Sequence, residues 1–352
     1  MNRDPLHALA WMAWLAAILV ALTVTRNPLY MGLVLLWIGV VTAAARRHTP
    51  PRPDMPSISP LRFGLIVVGL AAVFNALTVH VGETVLFHLP AAIPLFGGPV
   101  TLEALIYGAL NGMVIAGLFA AFAVINRVVP VRALVRIAPR AYYSLAVVVS
   151  IAMTYAPTTL RQLQQIREAQ AIRGHRMRGV RSWLPLVIPL LVGGLERALQ
   201  LAEAMMARGF AGDDTESASN GPRLALIAGL VLFLAGWLLR LVWGQPTLGL
   251  AALVLGAGAI ALGFRAAGRR HPHTTYRPAP WTGRDWAVLA GALLTAGIML
   301  LPLPGLDRSS IYYYPYPRLT LPGFSPWIAA ATWGLLVPAA VLLTEEMEGN
   351  AE

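Results

Sequence analysis

The sequence predicts an all-α polytopic membrane protein of about eight transmembrane helices, with a cytoplasmic helical module between the fourth and the fifth. Three observations carry this. The 352 residues are 57% hydrophobic and only 12% charged, where a soluble domain carries about a quarter charged residues. Several apolar runs approach or reach the roughly 20 residues that cross a bilayer at 1.5 Å each. Arginines gather between those runs, as they do in cytoplasmic loops.

Two spans, over 9–24 and 29–45, are joined by the short turn Arg26-Asn27-Pro28, and the run from Met1 to His7 leads into the first with no cleavage site behind it. The basic, proline-rich RRHTPPRPD follows. A third span covers 61–81. The stretch GETVLFHLPAAIPLFGGPVT is interrupted by prolines and by Gly97-Gly98, and reads as an external loop or a re-entrant hairpin. A fourth span, 102–125, ends at Arg127, with Arg132, Arg136 and Arg140 behind it. Four more spans are expected over 224–243, 248–264, 286–301 and 327–343. Between the second and third of these, RAAGRRHPHTTYRPAPWTGR is arginine-rich and cytoplasmic by the same rule; GLDRSSIYYYPYPRLTLPGF, with its tyrosines, suits the outer interface. The chain divides accordingly into an N-terminal membrane domain (1–138), a cytoplasmic module (139–212) and a C-terminal membrane domain (213–352). Both termini fall on the cytoplasmic side of a prokaryotic plasma membrane.

Composition also excludes chemistry. There is no cysteine, hence no disulfide, thiolate metal site or cysteine nucleophile. There is no lysine, hence no Walker A lysine and no Schiff base. If ATP drives this protein, another chain hydrolyses it. The net charge of +11 belongs to arginines flanking spans and is no sign of nucleic acid. No catalytic group, metal site or cofactor is expected.

The module holds the most specific signal. Its nine arginines and three glutamates argue against a crossing, since each arginine at a bilayer centre costs roughly 2.5–3.5 kcal/mol. AYYSLAVVVSIAMTYA stops at Pro157, and the apolar run 184–195 is broken by Pro185, Pro189 and Gly193-Gly194; both read as interfacial or groove-forming helices. A helix starting after Pro157 places Leu160, Leu163 and Ile166 on one side. A second places Leu195, Ala198, Leu199, Ala202, Met205 and Met206 on one apolar stripe, with Glu196, Gln200 and Glu203 opposite. Each helix ends in E-A-x-x-x-R-G: Glu168 to Arg173-Gly174, and Glu203 to Arg208-Gly209. Glycine just past a helix adopts the left-handed conformation cheaply. Arginine in the last turn faces the negative end of the macrodipole, worth roughly 0.3–1 kcal/mol. The product is a charged fork at the tip of a rod, able to bond carboxylates or carbonyls of a partner.

These paired endings resemble the transmembrane T component of energy-coupling factor (ECF) transporters, the CbiQ family. The resemblance is strongest from Pro157 to Phe210 and extends loosely back to IPLFGGPVTLEALIYG. It implies that the module consists of coupling helices. It implies two ABC-type ATPase partners, docked by Arg173 and Arg208, with Gly174, Gly209, Ala171, Ala207, Glu168 and Glu203 in the same signatures. It also implies a small membrane S component, which captures a vitamin or a transition-metal ion, held by the face of Leu195, Leu199, Ala202 and Met206. The first copy departs from the family pattern in having Ile172 before its arginine. The four later spans exceed what the family leads one to expect.

Other polar residues are weaker signals. His80, Glu83, His88 and Glu103 cluster between the third and fourth spans, as a loop at the water interface or a proton or metal path. His271 and His273 flank a proline in a basic loop. Asn75 and Asn111 suit bonds between helices, and Arg240 can snorkel. RGHRMRGVR suits anionic lipid heads or the ATPases. A self-sufficient secondary transporter is the alternative, but it needs a polar intramembrane path and often inverted repeats.

Overall fold

Proline and polar caps set where the helices begin. The computed structural model describes residues 6–48, 59–90, 96–130, 133–134, 143–174, 183–209, 220–268, 281–301 and 308–350. His271, His273, Arg132, Arg136, Arg140 and residues 175–181 of the RGHRMRGVR run lie outside them. The chain forms two compact units: Met1–Leu134 with Arg277–Glu352, and Val135–Tyr276.

The first unit contains α1 (Ala8–Val24), α2 (Pro28–His48), α3 (Pro60–Thr78), α4 (Leu102–Val128), α9 (Gly283–Leu300), α10 (Pro326–Ala331) and α11 (Val337–Asn350). Trp11, Trp14, Ile18 and Leu22 of α1 are buried against Tyr30, Val34 and Ile38 of α2 and Val288, Ala292 and Met299 of α9. The indole N–H of Trp14 donates to the Leu335 carbonyl at 2.9 Å, which satisfies a group that would otherwise be buried unpaired. Helices α9 and α10–α11, from the far end of the chain, thus share a core with α1 and α2.

At one end of this unit the connections gather. Asn27 donates its amide to the carbonyls of Ser310 and Gly323 at 2.7 and 2.6 Å. The Arg26 N–H donates to Ile311, and the Arg26 guanidinium to Asn111 at 2.7 Å. The stretch expected as an external loop or a re-entrant hairpin contains an antiparallel pair, β1 (Val85–Leu89) with β2 (Gly98–Thr101). Backbone polar groups that would be costly to leave unpaired near apolar surroundings are satisfied across this ribbon.

The second unit contains α5 (Tyr143–Ile172), α6 (Leu184–Ala207), α7 (Asn220–Leu241) and α8 (Pro246–Gly268). Helices α7 and α8 lie along each other through glycines: Gly229 and Gly236 on one, Gly249, Gly256 and Gly263 on the other. A Cβ on Gly256 would stand 2.6 Å from the Phe233 nitrogen. Such small-residue seams let helix backbones approach where no hydrophobic effect drives them together.

Among the described residues, eight helical segments are long and apolar enough to cross a membrane. Seven coincide with expected spans. The eighth is α6, whereas α1, with 17 residues, is shorter than the others. Two expectations are corrected. Helix α5 does not start after Pro157 but runs through it from Tyr143. Helix α6 is not broken at its prolines and glycines: it is continuous, with Pro185 in its first turn and Pro189 inside. A proline in the first turn removes no helical bond, and each interior one removes a single rung. Long helices carry that loss.

Candidate functional site

The two Arg-Gly endings have the same geometry. Gly174 and Gly209 stand just past α5 and α6 with φ of 79° and 78°. The Gly174 N–H donates to Ala171 at 2.9 Å, and the Gly209 N–H to Met206 at 3.0 Å. The preceding N–H groups also turn back, from Arg173 to Ala169 and from Arg208 to Met205. Both helices therefore close on their own carbonyls, with the left-handed glycine ending the rod. A Cβ on either glycine would meet nothing within 4 Å, so conformation and not packing calls for glycine here.

Glu168, Ala171, Arg173, Glu203, Ala207 and Arg208 are all exposed. Among the described residues, neither guanidinium nor either glutamate makes a hydrogen bond or ion pair. Ile172 is 89% exposed. Both tips thus present a charge with no partner among the described residues.

On α6 the apolar stripe is open. Leu195, Leu199, Ala202 and Met206 are exposed, and the line continues toward the helix start through Leu184, Ile188 and Leu191, also exposed. Met205 lies at its edge, half-buried. A second line faces inward: Leu186 is fully buried, and Leu190, Gly193, Arg197 and Leu201 are half-buried. Helix α5 meets this line at Gly193, where a Cβ would lie 2.6 Å from the Gln162 side-chain nitrogen. The sequence reading missed this crossing; its signal was Gly193-Gly194 in a helix, which marks close approach as readily as a break.

Three of the four ionisable residues of the hairpin region have partners in or beside the hairpin. Glu103 is fully buried in the first turn of α4 and accepts the Thr84 N–H at 3.1 and 3.3 Å. Thr101 caps α4 and donates to the Val81 carbonyl at 2.8 Å. Gly82, with φ of 141°, passes so close to Glu103 that a Cβ would touch its carboxylate at 2.5 Å. Glu83 pairs with Arg318, and His80 packs on Gly98, with its Nδ1 3.3 Å from the Pro99 carbonyl oxygen. Among the described residues, no three His, Asp or Glu groups stand close enough to hold a metal ion. Asn75 donates to the Ala104 carbonyl at 2.6 Å, a bond between α3 and α4.

Comparison with known proteins follows the same residues. The family model described as "Cobalt transport protein", CbiQ, matches residues 4–220. The energy-coupling factor transporter transmembrane protein EcfT of Leuconostoc gelidum subsp. gasicomitatum is 27% identical over 210 residues, 56% of this chain and 68% of that protein. The protein of the same name in Clostridium kluyveri is 30% identical over 115 residues, 29% of this chain and 43% of its own length. That of Bacillus subtilis is 35% identical over 78 residues, 20% and 29% respectively. The chain thus spans about two thirds of the first relative and less than half of the other two. Nearly all of α7 and everything after it lie beyond the family match. A multi-pass apolar helical chain, matched over most of its length up to and through both Arg-Gly endings, belongs to the CbiQ family of cobalt transport proteins, the transmembrane components of energy-coupling factor transporters.

Proposed function

We propose that this chain is the scaffold of an ECF-type ABC importer. It couples ATP hydrolysis by two partner ATPases to cargo release by a small membrane S component. Arg173 and Arg208 are the ATPase contacts, each held by its glycine and flanked by Ala171 or Ala207. Glu168 and Glu203 belong to the same docking surfaces. The S component lies on the stripe of Leu195, Leu199, Ala202 and Met206. The cargo is a vitamin or a transition-metal ion, chosen by the S component. The module lies on the cytoplasmic side, as do both termini, because arginine-rich connections flank it.

The observation that carries this reading is the pair of guanidinium groups with no partner among the described residues, displayed in the same way on two separate helix ends. A structural cap would fold its arginine onto its own last carbonyls. A docking fork keeps it clear, ready for bidentate bonds to a partner. The lack of lysine fits a subunit that borrows its ATPase.

The test is purification from native membranes, followed by uptake. Two ATPase chains and a small membrane protein should accompany this chain. The double variant Arg173→Ala/Arg208→Ala should still insert, lose the ATPases and lose uptake. Normal uptake by that variant overturns the reading.

A further inference from the structure

Where α5 and α6 cross, two buried polar atoms lack partners. One is the side-chain oxygen of Gln162, an acceptor; the other is the Nε of Arg197, a donor. The Gln162 amide sits over Gly193, the gap left by a missing side chain. Arg197 lies one turn further along α6, on the same inward line. Side chains on a helix lean toward its N-terminus, so a guanidinium rooted at position 197 leans over Gly193, toward that amide. A change of rotamer or a slide of α6 would join them. An orphaned buried donor is unfavourable and so is an orphaned buried acceptor; joining them relieves both. Gly193 keeps the space open in which they meet.

The geometry points to Gln162 and Arg197 as a polar latch across the α5–α6 crossing. The guanidinium N–H donates to the amide oxygen in one arrangement of the two helices and is released in another. They are positioning residues: the latch sets how the two rods cross, and therefore where the tips of Arg173 and Arg208 stand. This functional consequence rests on the coupling reading above, whereas the contact itself does not. Little else fixes α6 at the crossing, since Leu186 is its one fully buried residue among those described.

The chain has no cysteine, so an introduced pair reports alone. Gln162→Cys/Arg197→Cys, expressed with its partners in native membranes, should be joined by a bifunctional maleimide whose spacer matches the reach of the two replaced side chains, since a direct disulfide needs Cα atoms within about 7 Å. The yield of cross-link should change at least two-fold with MgATP. No cross-link in either condition overturns the contact, and equal yields overturn the switching. In uptake assays, Gln162→Leu and Arg197→Leu should each lower cargo moved per ATP hydrolysed several-fold while the ATPases still co-purify. The double leucine variant should be no worse than the worse single. The swap Gln162→Arg/Arg197→Gln should restore coupling. Additive losses, or a swap without rescue, overturn the latch. A failure of the coupling reading looks different: ATPases would not accompany even the unaltered chain, while the cross-link would still form.

Discussion

The carboxylate of Asp285 accepts the backbone N–H of His7 at 2.7 Å. It joins the start of α1 to the start of α9, elements separated by most of the chain. Asp285 is almost fully buried, and its other oxygen accepts the Thr282 N–H at 2.9 Å and the Thr282 hydroxyl at 2.7 Å. Thr282 returns a bond to the Asp285 N–H, closing a capping box. Asp285→Ala removes the N3 half of the capping box and leaves the buried N–H groups of Thr282 and His7 without this acceptor, a loss of about 1–3 kcal/mol. The variant should unfold in detergent at a clearly lower temperature than the parent, with Asp285→Asn in between. An unchanged midpoint would mean the two ends of the chain are held together elsewhere.

A second close approach fixes α9 against the 3-10 turn Thr332–Leu336. A Cβ on Gly334 would stand 2.2 Å from the Gly291 carbonyl oxygen, and one on Gly291 would stand 2.6 Å from that of Gly334. Thr295 bridges the same contact, donating to Ala331 at 2.8 Å and Gly291 at 3.0 Å. Backbone cannot yield as a flexible side chain can, so Gly334→Ala must push the two segments apart. Overpacking of this kind costs about 1–3 kcal/mol. Gly297→Ala, on the same helix but facing open space, should leave the melting temperature where it was. Equal effects at the two glycines would refute the close contact.

The positions of these residues explain what the sequence made legible. Spans could be read because twenty apolar residues have few other uses, and the paired Arg-Gly endings because a motif repeated at two helix ends is rare by chance. Pro157 and Pro189 misled, since a proline argues for a break only where the rest of the ladder is too short to carry one lost rung; α5 and α6 are long enough. The β1–β2 ribbon was obscured by Pro90, Pro94, Gly97 and Gly98, which read as interruption although two of them frame a hairpin. The association of α1 with α9 and with the 3-10 turn Thr332–Leu336 rests on Asp285 reaching His7 and on Trp14 reaching Leu335. No periodicity within one helix reports such long-range partners. The Gln162–Gly193 contact was hidden for the same reason.

The end glycines make a prediction that separates conformation from packing. Left-handed backbone costs an ordinary residue about 1–2 kcal/mol, and asparagine less. Space beside Gly174 and Gly209 is open. Gly174→Asn and Gly209→Asn should therefore retain most ATPase co-purification and uptake. Gly174→Val and Gly209→Val should lower both several-fold by unwinding the last turn and misdirecting the arginine. If asparagine is as damaging as valine, the glycines are needed for a partner's close approach and not for their own φ.

Ile172 offers the sharpest test of the two tips, because they differ there. It precedes Arg173 at 89% exposure, while the equivalent residue before Arg208 is Ala207. An isoleucine left this open gains nothing from the fold of its own chain. Burying it in a partner's groove would gain about 1.5–3 kcal/mol, which is roughly tenfold or more in affinity. Ile172→Ala should thus leave the thermal midpoint of the chain unchanged and weaken binding of ATPase at that tip about tenfold. Ile172→Asp should weaken it further, since a carboxylate would be desolvated beside the docking arginine. Placing isoleucine at the other tip, Ala207→Ile, should strengthen binding only if the two grooves are alike. A clash there would mean that the two ends are shaped for different ATPase surfaces, and the asymmetry already written in Ile172 and Ala207 favours that outcome.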